Sequence, residues 1–336
     1  MKELSVRDIL VPIDFSDISV RAIPVAKNLG RKFGSKIHLA FIQEPYYPAM
    51  FYSAAAPAPA VLIDAIEEER KRAHKRLQGL AKSHRLSGTV RSVLGAPVFD
   101  EVCAIARRVP ADLIVTSTHG YTGLQHLLLG STAERIVQHA PCPVFVARER
   151  KGRRARNKQG RKTETIETIL APHDFSACSV EGLKYAVRFA RKFGAKLVVL
   201  HVVDVTPTLG ADGLGVFELT RYTEVAQAEA ERKMPMFLRW MKSTGVKFES
   251  KVVQGRSADA ICVAAKKHHA DLIITATHGR TGLSHVLVGS TAEVVVRYAP
   301  CPVLVVPSHP VARKKRLQSK TTRPNSPRSR RKPTKR

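Results

Sequence analysis

Apolar residues fall in short runs that end on a polar residue, separated by longer stretches with helical spacing. VRDILVPID (6–14) is such a run and predicts a buried strand. Ser16 and Ser19 offer N-caps for a helix over 20–33, and Gly34 stands past its end. Lys36 to Ile42 predicts a second strand, 44–60 a loop rich in Pro, Ala and Tyr, and 61–85 a long helix. A third strand runs from Thr89 to Leu94, and Gly95-Ala96-Pro97 opens a helix to about Arg108. Leu113 to Thr118 predicts a fourth strand, followed by a loop over 119–130. Ser131-Thr132-Ala133-Glu134 then has capping-box spacing and opens a helix, and Pro143 to Ala147 predicts a fifth strand. Strands alternating with helices imply an α/β fold with a parallel sheet covered on both faces.

The whole pattern occurs twice. Residues 111–146 and 270–305 are identical at 25 of 36 aligned positions, VPIDFSDIS (11–19) recurs as APHDFSACS (171–179), and RKFGSK (31–36) as RKFGAK (191–196). The offset is 160 residues early and 159 late, too long for a solenoid repeat of roughly 20–50 residues. Two domains of one fold are expected head to tail, over 1–147 and 165–307. Each is long enough to bury a substantial core.

Charge separates these domains from the rest of the chain. The net charge is +28 over 336 residues. Residues 148–162 hold nine Lys/Arg and one Glu, and residues 307–336 hold twelve Lys/Arg and no acid, so +8 and +12 leave only +8 elsewhere. The segments 148–164 and 308–336 are too poor in apolar residues to offset the entropy of ordering, and a disordered linker and tail are expected. Three roles stay open for them: a solvated tail, a nucleic-acid contact through phosphate neutralisation, or an anionic membrane or acidic protein contact. No apolar run reaches the ~18–20 residues of a membrane span, and the N-terminus reads as a strand rather than a signal peptide. Five cysteines give no disulfide framework, so a reducing cytoplasm is expected. Cys142 and Cys301, each in Pro-Cys-Pro, read as small buried residues.

Open parallel sheets bind ligands beyond the carboxyl ends of their strands. Two segments of each repeat meet that edge. One is Pro12-Ile13-Asp14, repeated as Pro172-His173-Asp174. The other is the loop after strand four: His119-Gly120, Thr122-Gly123 and Gly130-Ser131-Thr132, repeated as His278-Gly279, Thr281-Gly282 and Gly289-Ser290-Thr291. Glycines admit an anion close to backbone amides, and a helix N-terminus adds unpaired N–H groups and partial positive charge. The residues alone leave alternatives: Asp14 and Asp174 as helix caps, the loop as a tight connection, and His119 and His278 as structural.

These motifs, with the APCPV ends at 140–144 and 299–303, resemble the universal stress protein family in tandem form. The resemblance implies two Rossmann-like domains, each a five-stranded parallel sheet of order 3-2-1-4-5 flanked by helices on both faces. It also implies assembly through the last strands, here within one chain, with a homodimer of chains left open. One branch of that family binds ATP, with or without Mg2+, through Gly-x2-Gly-x9-Gly-Ser/Thr. Here Ser117 and Ala276 replace the first glycine. Carried over by position, Asp14 and Asp174 would hold the ribose or a metal-linked group. Ile42 and Val202 would line the adenine slot, and Gly120, Gly123, Gly130, Ser131 and Thr132, with their counterparts, the phosphates. No nucleophile elbow and no complete Gly-x4-Gly-Lys-Ser/Thr loop occurs, so binding and switching are expected, with ATP hydrolysis slow at most. The competing expectation is a nucleotide-free pseudo-dimeric scaffold whose basic arms contact nucleic acid.

Overall fold

The computed structural model describes residues 2–44, 60–117, 130–148, 165–205, 215–277 and 289–307. The first repeat runs β1 (Asp8–Pro12), α1 (Asp17–Val20), α2 (Ala22–Phe33), β2 (Lys36–Gln43), α3 (Ala60–Ser83), β3 (Val90–Leu94), α4 (Val98–Arg108), β4 (Leu113–Ser117), α5 (Ser131–His139) and β5 (Val144–Ala147). The second runs β6 (Thr168–Pro172), α6 (Ala177–Phe193), β7 (Lys196–Asp204), α7 (Gly215–Phe237), a 3₁₀ helix (Leu238–Thr244), β8 (Phe248–Gly255), α8 (Ser257–Lys267), β9 (Leu272–Ala276), α9 (Ser290–Tyr298) and β10 (Val303–Val306). The strands form one ten-stranded sheet of order β3-β2-β1-β4-β5-β10-β9-β6-β7-β8. Within each repeat the order is thus 3-2-1-4-5 and the pairing parallel. Among the described residues only β5 and β10 pair antiparallel, Phe145 opposite Leu304, which joins the two halves through their last strands. That pairing removes two apolar sheet edges that would otherwise offer unpaired backbone groups.

Each face of the sheet carries one core that runs through both repeats. On one side Ile9, Val11, Leu39 and Leu113 pack with Ile23 of α2 and Phe189 of α6; on the other Leu10, Ile114, Val144 and Val305 pack with Val102, Ile136, Ile261 and Val295. Burying a Val or Leu side chain contributes about 1.5–3 kcal/mol, so the strands' apolar residues hold helices on both faces. Gly34 and Gly194 end α2 and α6 in the left-handed conformation, φ 71° and 70°, which glycine adopts without steric cost.

Two local expectations need correction. The first helix begins at Asp17 rather than 20 and breaks at Arg21, because Ser16 caps it: its Oγ accepts the Ser19 N–H at 3.2 Å. The expected capping box is not formed, because the helix starts one residue earlier. Gly130 is the N-cap of α5 and Gly289 that of α9, so Ser131 and Ser290 are already helical and no side chain caps either turn. The Glu134 carboxylate is held at 3.1 Å by Arg297 Nη2 of the other repeat.

The repeats also meet through helices. Phe33 lies 5.8 Å, centroid to centroid, from both Phe189 and Phe193. The Arg148 guanidinium, just past β5, donates to Val296 O at 2.9 Å and Arg297 O at 2.7 Å in the last turn of α9. The remainder of the basic linker and the basic tail lie outside the described residues.

Candidate functional site

The site forms where β6, β7 and β9 end. β6 ends at Pro172, and the turn that follows is built tightly. Asp174 Oδ1 accepts the Ser176 N–H at 3.0 Å and its hydroxyl at 2.6 Å, while Ser176 caps α6. Asp174 is therefore not the helix cap but the residue that orients it. Phe175 between them is left-handed at φ 65°, a conformation uncommon for a large side chain, and it fixes the direction in which the turn leaves the sheet. The first repeat is built alike: Asp14 Oδ1 accepts from Ser16 N at 2.9 Å and Ser16 Oγ at 2.6 Å, and Phe15 has φ 64°.

His173 locks this turn from below. It is buried, and its Nε2 accepts the Phe175 N–H at 3.0 Å. A lone pair at Nε2 puts the proton on Nδ1, which lies 2.8 Å from Ser179 Oγ and donates to it. Ser179 Oγ in turn donates to Ser176 O at 2.9 Å. The imidazole stacks on Phe237 at 4.2 Å, and His201 Nδ1 donates to the His173 carbonyl at 2.7 Å. In the first repeat these positions are Ile13 and Phe41, and Arg76 lies over Phe15 at 4.3 Å. The anchor is shared, but the floor differs.

Above the second anchor lies a cavity of about 590 Å3. Pro172, His173, Asp174, Val202, Ala276, Gly289, Ser290 and Thr291 all line it, which brings together every described residue singled out in that repeat. His278, Gly279 and Gly282 lie outside the described residues. Gly289 N donates to Thr277 O at 2.7 Å, which holds the start of α9 against the end of β9. The first three N–H groups of α9, those of Ser290, Thr291 and Ala292, have no partner within the helix and carry its partial positive charge to the cavity. Ala276 fits in place of a glycine because α6 approaches it with Gly182, where an added Cβ would come within 3.2 Å of the Ala276 Cβ.

In the first repeat Pro12, Ile13 and Asp14 end β1, Ile42 lies near the end of β2, Ser117 ends β4, and Gly130, Ser131 and Thr132 open α5. Ile13, Ile42 and Ser117 are buried, and Ser131 and Thr132 are exposed. His119, Gly120 and Gly123 lie outside the described residues. The motifs did not point to Tyr222, Glu229 and Lys233 of α7, Asp204 at the end of β7, or Ser257 and Ile261 of α8, all of which line the cavity. Asp204 could have been found as the polar residue closing an apolar run; Tyr222 had no such signal.

Other candidate chemistry lies elsewhere. Burial pushes the Cys142 thiol well above its ordinary range and Cys103 up to about 11, which suits packing rather than reactivity. His268 caps α8 and His269 is left-handed at φ 51°, so the pair stands past the helix rather than on it. Among the described residues no group of three His, Cys, Asp or Glu could hold a metal, and no helix is long and apolar enough to cross a membrane.

Known proteins share this architecture. A model of the universal stress protein family matches residues 5–148 and again 165–307. A universal stress protein of Methanocaldococcus jannaschii is 38% identical over 138 residues, 41% of this chain and 80% of that protein. One from Thermus aquaticus is 36% identical over 144 residues, 42% of this chain and 98% of that protein. The crystal structure of a universal stress protein from Archaeoglobus fulgidus matches 90% of this chain and 97% of its own, with TM-score 0.58 and 19% identity, and shows the same fold. The chain belongs to the universal stress protein family and carries two of its domains in tandem.

Proposed function

We propose that this stress-response protein binds ATP at the carboxyl edge of its sheet, in the second domain above all, and that occupancy changes its contacts with partners. The observation that carries the reading is the cavity beneath α9. An anchored carboxylate, an apolar slot at Val202 and Ile261, and a helix N-terminus without a side-chain cap line the same space. Its volume falls within the roughly 300–1,000 Å3 of small-molecule sites. The donor set fits the ligand: backbone N–H groups and the Ser290 and Thr291 hydroxyls suit phosphate oxygens, and Asp174 suits a ribose hydroxyl. A Mg2+ ion would be held mainly through those phosphates, as hard cations at such sites commonly are. Bound ATP would supply three negatively charged groups whose presence or loss the α9 end senses directly.

The test uses Ser290→Glu, with Ser131→Glu as its first-domain counterpart. An acidic residue in the first turn favours the helix, so folding is retained or slightly improved. The same charge opposes a triphosphate, and equilibrium dialysis with labelled ATP is expected to show at least a roughly tenfold loss of affinity. Unchanged binding in both variants would show that the phosphates lie elsewhere. Native mass spectrometry of the purified chain identifies the resident nucleotide by mass.

A second reading rests on charge. Residues 148–162 and 307–336 carry +20 of the net +28, which suits a pseudo-dimeric scaffold that holds nucleic acid through its basic segments.

A further inference from the structure

On the face of the sheet that α2 and α6 cover, we propose a docking surface for an anionic lipid bilayer, built from both repeats and centred where the two helices meet. Helix α2 packs along β1 and β4, and α6 along β6 and β9, so the pair lies over the middle of the sheet, with α3 and α7 over its two edges. Their last turns touch. Lys32 Nζ lies 5.9 Å from the centre of the Phe193 ring, and Lys192 Nζ lies 5.9 Å from that of Phe33. One contact is the other with the repeats exchanged, because Lys32-Phe33 recurs as Lys192-Phe193.

Charge sets this face apart. Residues 17–36 hold five Lys/Arg and one Asp, and residues 177–196 hold five Lys/Arg and one Glu, so each segment carries +4. With 148–162 and 307–336 set aside, the chain's excess is +8, and these two segments hold all of it. Helical spacing turns the charge outward. In α2 Ile23, Ala26 and Leu29 are buried while Arg31 and Lys32 are exposed; in α6 Ala186, Phe189 and Ala190 are buried while Arg191 is exposed. A cation in a last turn also offsets the helix dipole, but that does not account for the excess. Helices α4 and α8, on the opposite face, end likewise on Arg107-Arg108 and Lys266-Lys267, and there Asp100, Glu101 and Asp259 in the first turns oppose them. The first turns of α2 and α6 hold no acid.

A bilayer is the partner that this shape fits. Helices laid along a sheet between neighbouring helices enter no groove of a duplex. A plane of anionic headgroups meets the whole pair at once, and each Lys or Arg near such a surface adds to the attraction. Phe33 and Phe193 are only partly buried beneath their lysines. An aromatic ring under a cation on a long apolar stem suits the boundary between headgroups and acyl chains.

Flotation of the full chain with vesicles, at low salt, tests this. Binding is expected to phosphatidylcholine vesicles that contain phosphatidylserine and not to phosphatidylcholine alone. Lys27→Gln, Arg31→Gln, Lys32→Gln and Arg191→Gln together should weaken that binding at least roughly tenfold. A matched control, Arg107→Gln, Arg108→Gln, Lys266→Gln and Lys267→Gln, removes the same charge from the opposite face and should stay within about twofold of the parent. Residues 148–162 and 307–336 are unchanged in both, so their own attraction to the vesicles cancels in the comparison. Equal loss in the two variants, or no loss in the first, overturns the proposal. Glutamine supports a helix about as well as Lys or Arg, so both variants should fold. If the first shows no thermal transition, the α2 pair Lys27→Gln and Arg31→Gln carries the test: about threefold weaker binding supports the surface, and unchanged binding overturns it. A labelled DNA duplex is the second arm. If the first variant loses the duplex but keeps the vesicles, the face serves nucleic acid and the bilayer proposal falls.

Discussion

Arg148→Met removes one of the contacts that fasten the first repeat to the last turn of α9, alongside the Glu134–Arg297 pair. The guanidinium is half-buried and donates to two carbonyls, Val296 O and Arg297 O, at 2.9 and 2.7 Å. Burial lowers its pKa, yet an arginine remains charged at neutral pH. Hydrogen bonds to a charged donor contribute about 1.5–3 kcal/mol each, and a cation at a helix C-terminus adds about 0.3–1 kcal/mol. Against this stands the cost of keeping the charge partly out of water, which methionine relieves while preserving most of the apolar stem. The expected net loss is about 2 kcal/mol, because two acceptors are left in an interface with no donor. At about 2–4 °C per kcal/mol for a domain of this size, calorimetry should show Tm lower by about 4–8 °C. Arg148→Lys keeps the charge without the fork and should recover about half. A methionine variant that melts within about 1 °C of the parent would refute the reasoning, since water would then serve those carbonyls as well.

Three further outcomes are expected. Lys196, bonded to Glu249 at 2.8 Å, holds that carboxyl below its ordinary range, with a smaller contribution from His268. A depressed carboxylate stabilises above its unfolded pKa and loses that contribution as pH falls through the folded value. Melting curves from pH 6 to 3 should therefore show Glu249→Gln less stable at pH 6 and flatter on the acid side; parallel curves would contradict the assignment. A thiol reagent at neutral pH should modify the partly exposed Cys178 in the folded chain and reach the buried Cys103, Cys142 and Cys301 only on unfolding, so prompt native labelling of Cys142 would be a contrary result. Removal of 309–336 should abolish salt-sensitive retention on DNA at low ionic strength, and equal retention by the truncated chain would count against a nucleic-acid role.

The sheet was legible because its central strands are short, largely apolar runs, as strands covered on both faces are, whereas the edge strands β3 (VRSVL) and β8 (FESKVVQG) carry charged and polar residues. Its strand order and the joining of β5 to β10 came from the family resemblance, since periodicity does not say which strand lies beside which. Helix starts were less legible. Ser131 and Gly130 are both acceptable caps by residue type, and the choice fell to Gly130, whose extended φ −62° and ψ 139° let Glu134 N reach Gly130 O at 3.0 Å. The site shows the same division. Asp174 and Ser290 stand beside turns and glycines that mark a sheet edge, while Val202 came from the family resemblance. Tyr222 and Lys233 lie within a helix whose period names a buried face but not what its exposed face meets. Arg148 was one charge among nine in a basic run, and only the helix end it faces sets it apart.

The two repeats show what copying keeps and what it releases. The Asp–Ser anchor and the left-handed Phe are the same in both, because they set where the chain leaves the sheet and any change would move α1 or α6. The floor beneath has been rebuilt, with Ile13 and Phe41 in one domain and His173 and His201 in the other. A buried imidazole costs about as much as any unpaired polar group unless its nitrogens find partners. His173 meets that condition at both: Nε2 takes the Phe175 N–H, and Nδ1 gives its proton to Ser179. His201 then closes the network on the His173 carbonyl. Such a set is stable complete and costly in part, so it cannot drift one residue at a time toward the apolar floor of its twin. The domains are therefore fixed in different chemistry beneath the same backbone, and a ligand that distinguishes them does so by what lies around the anchor rather than by the anchor itself.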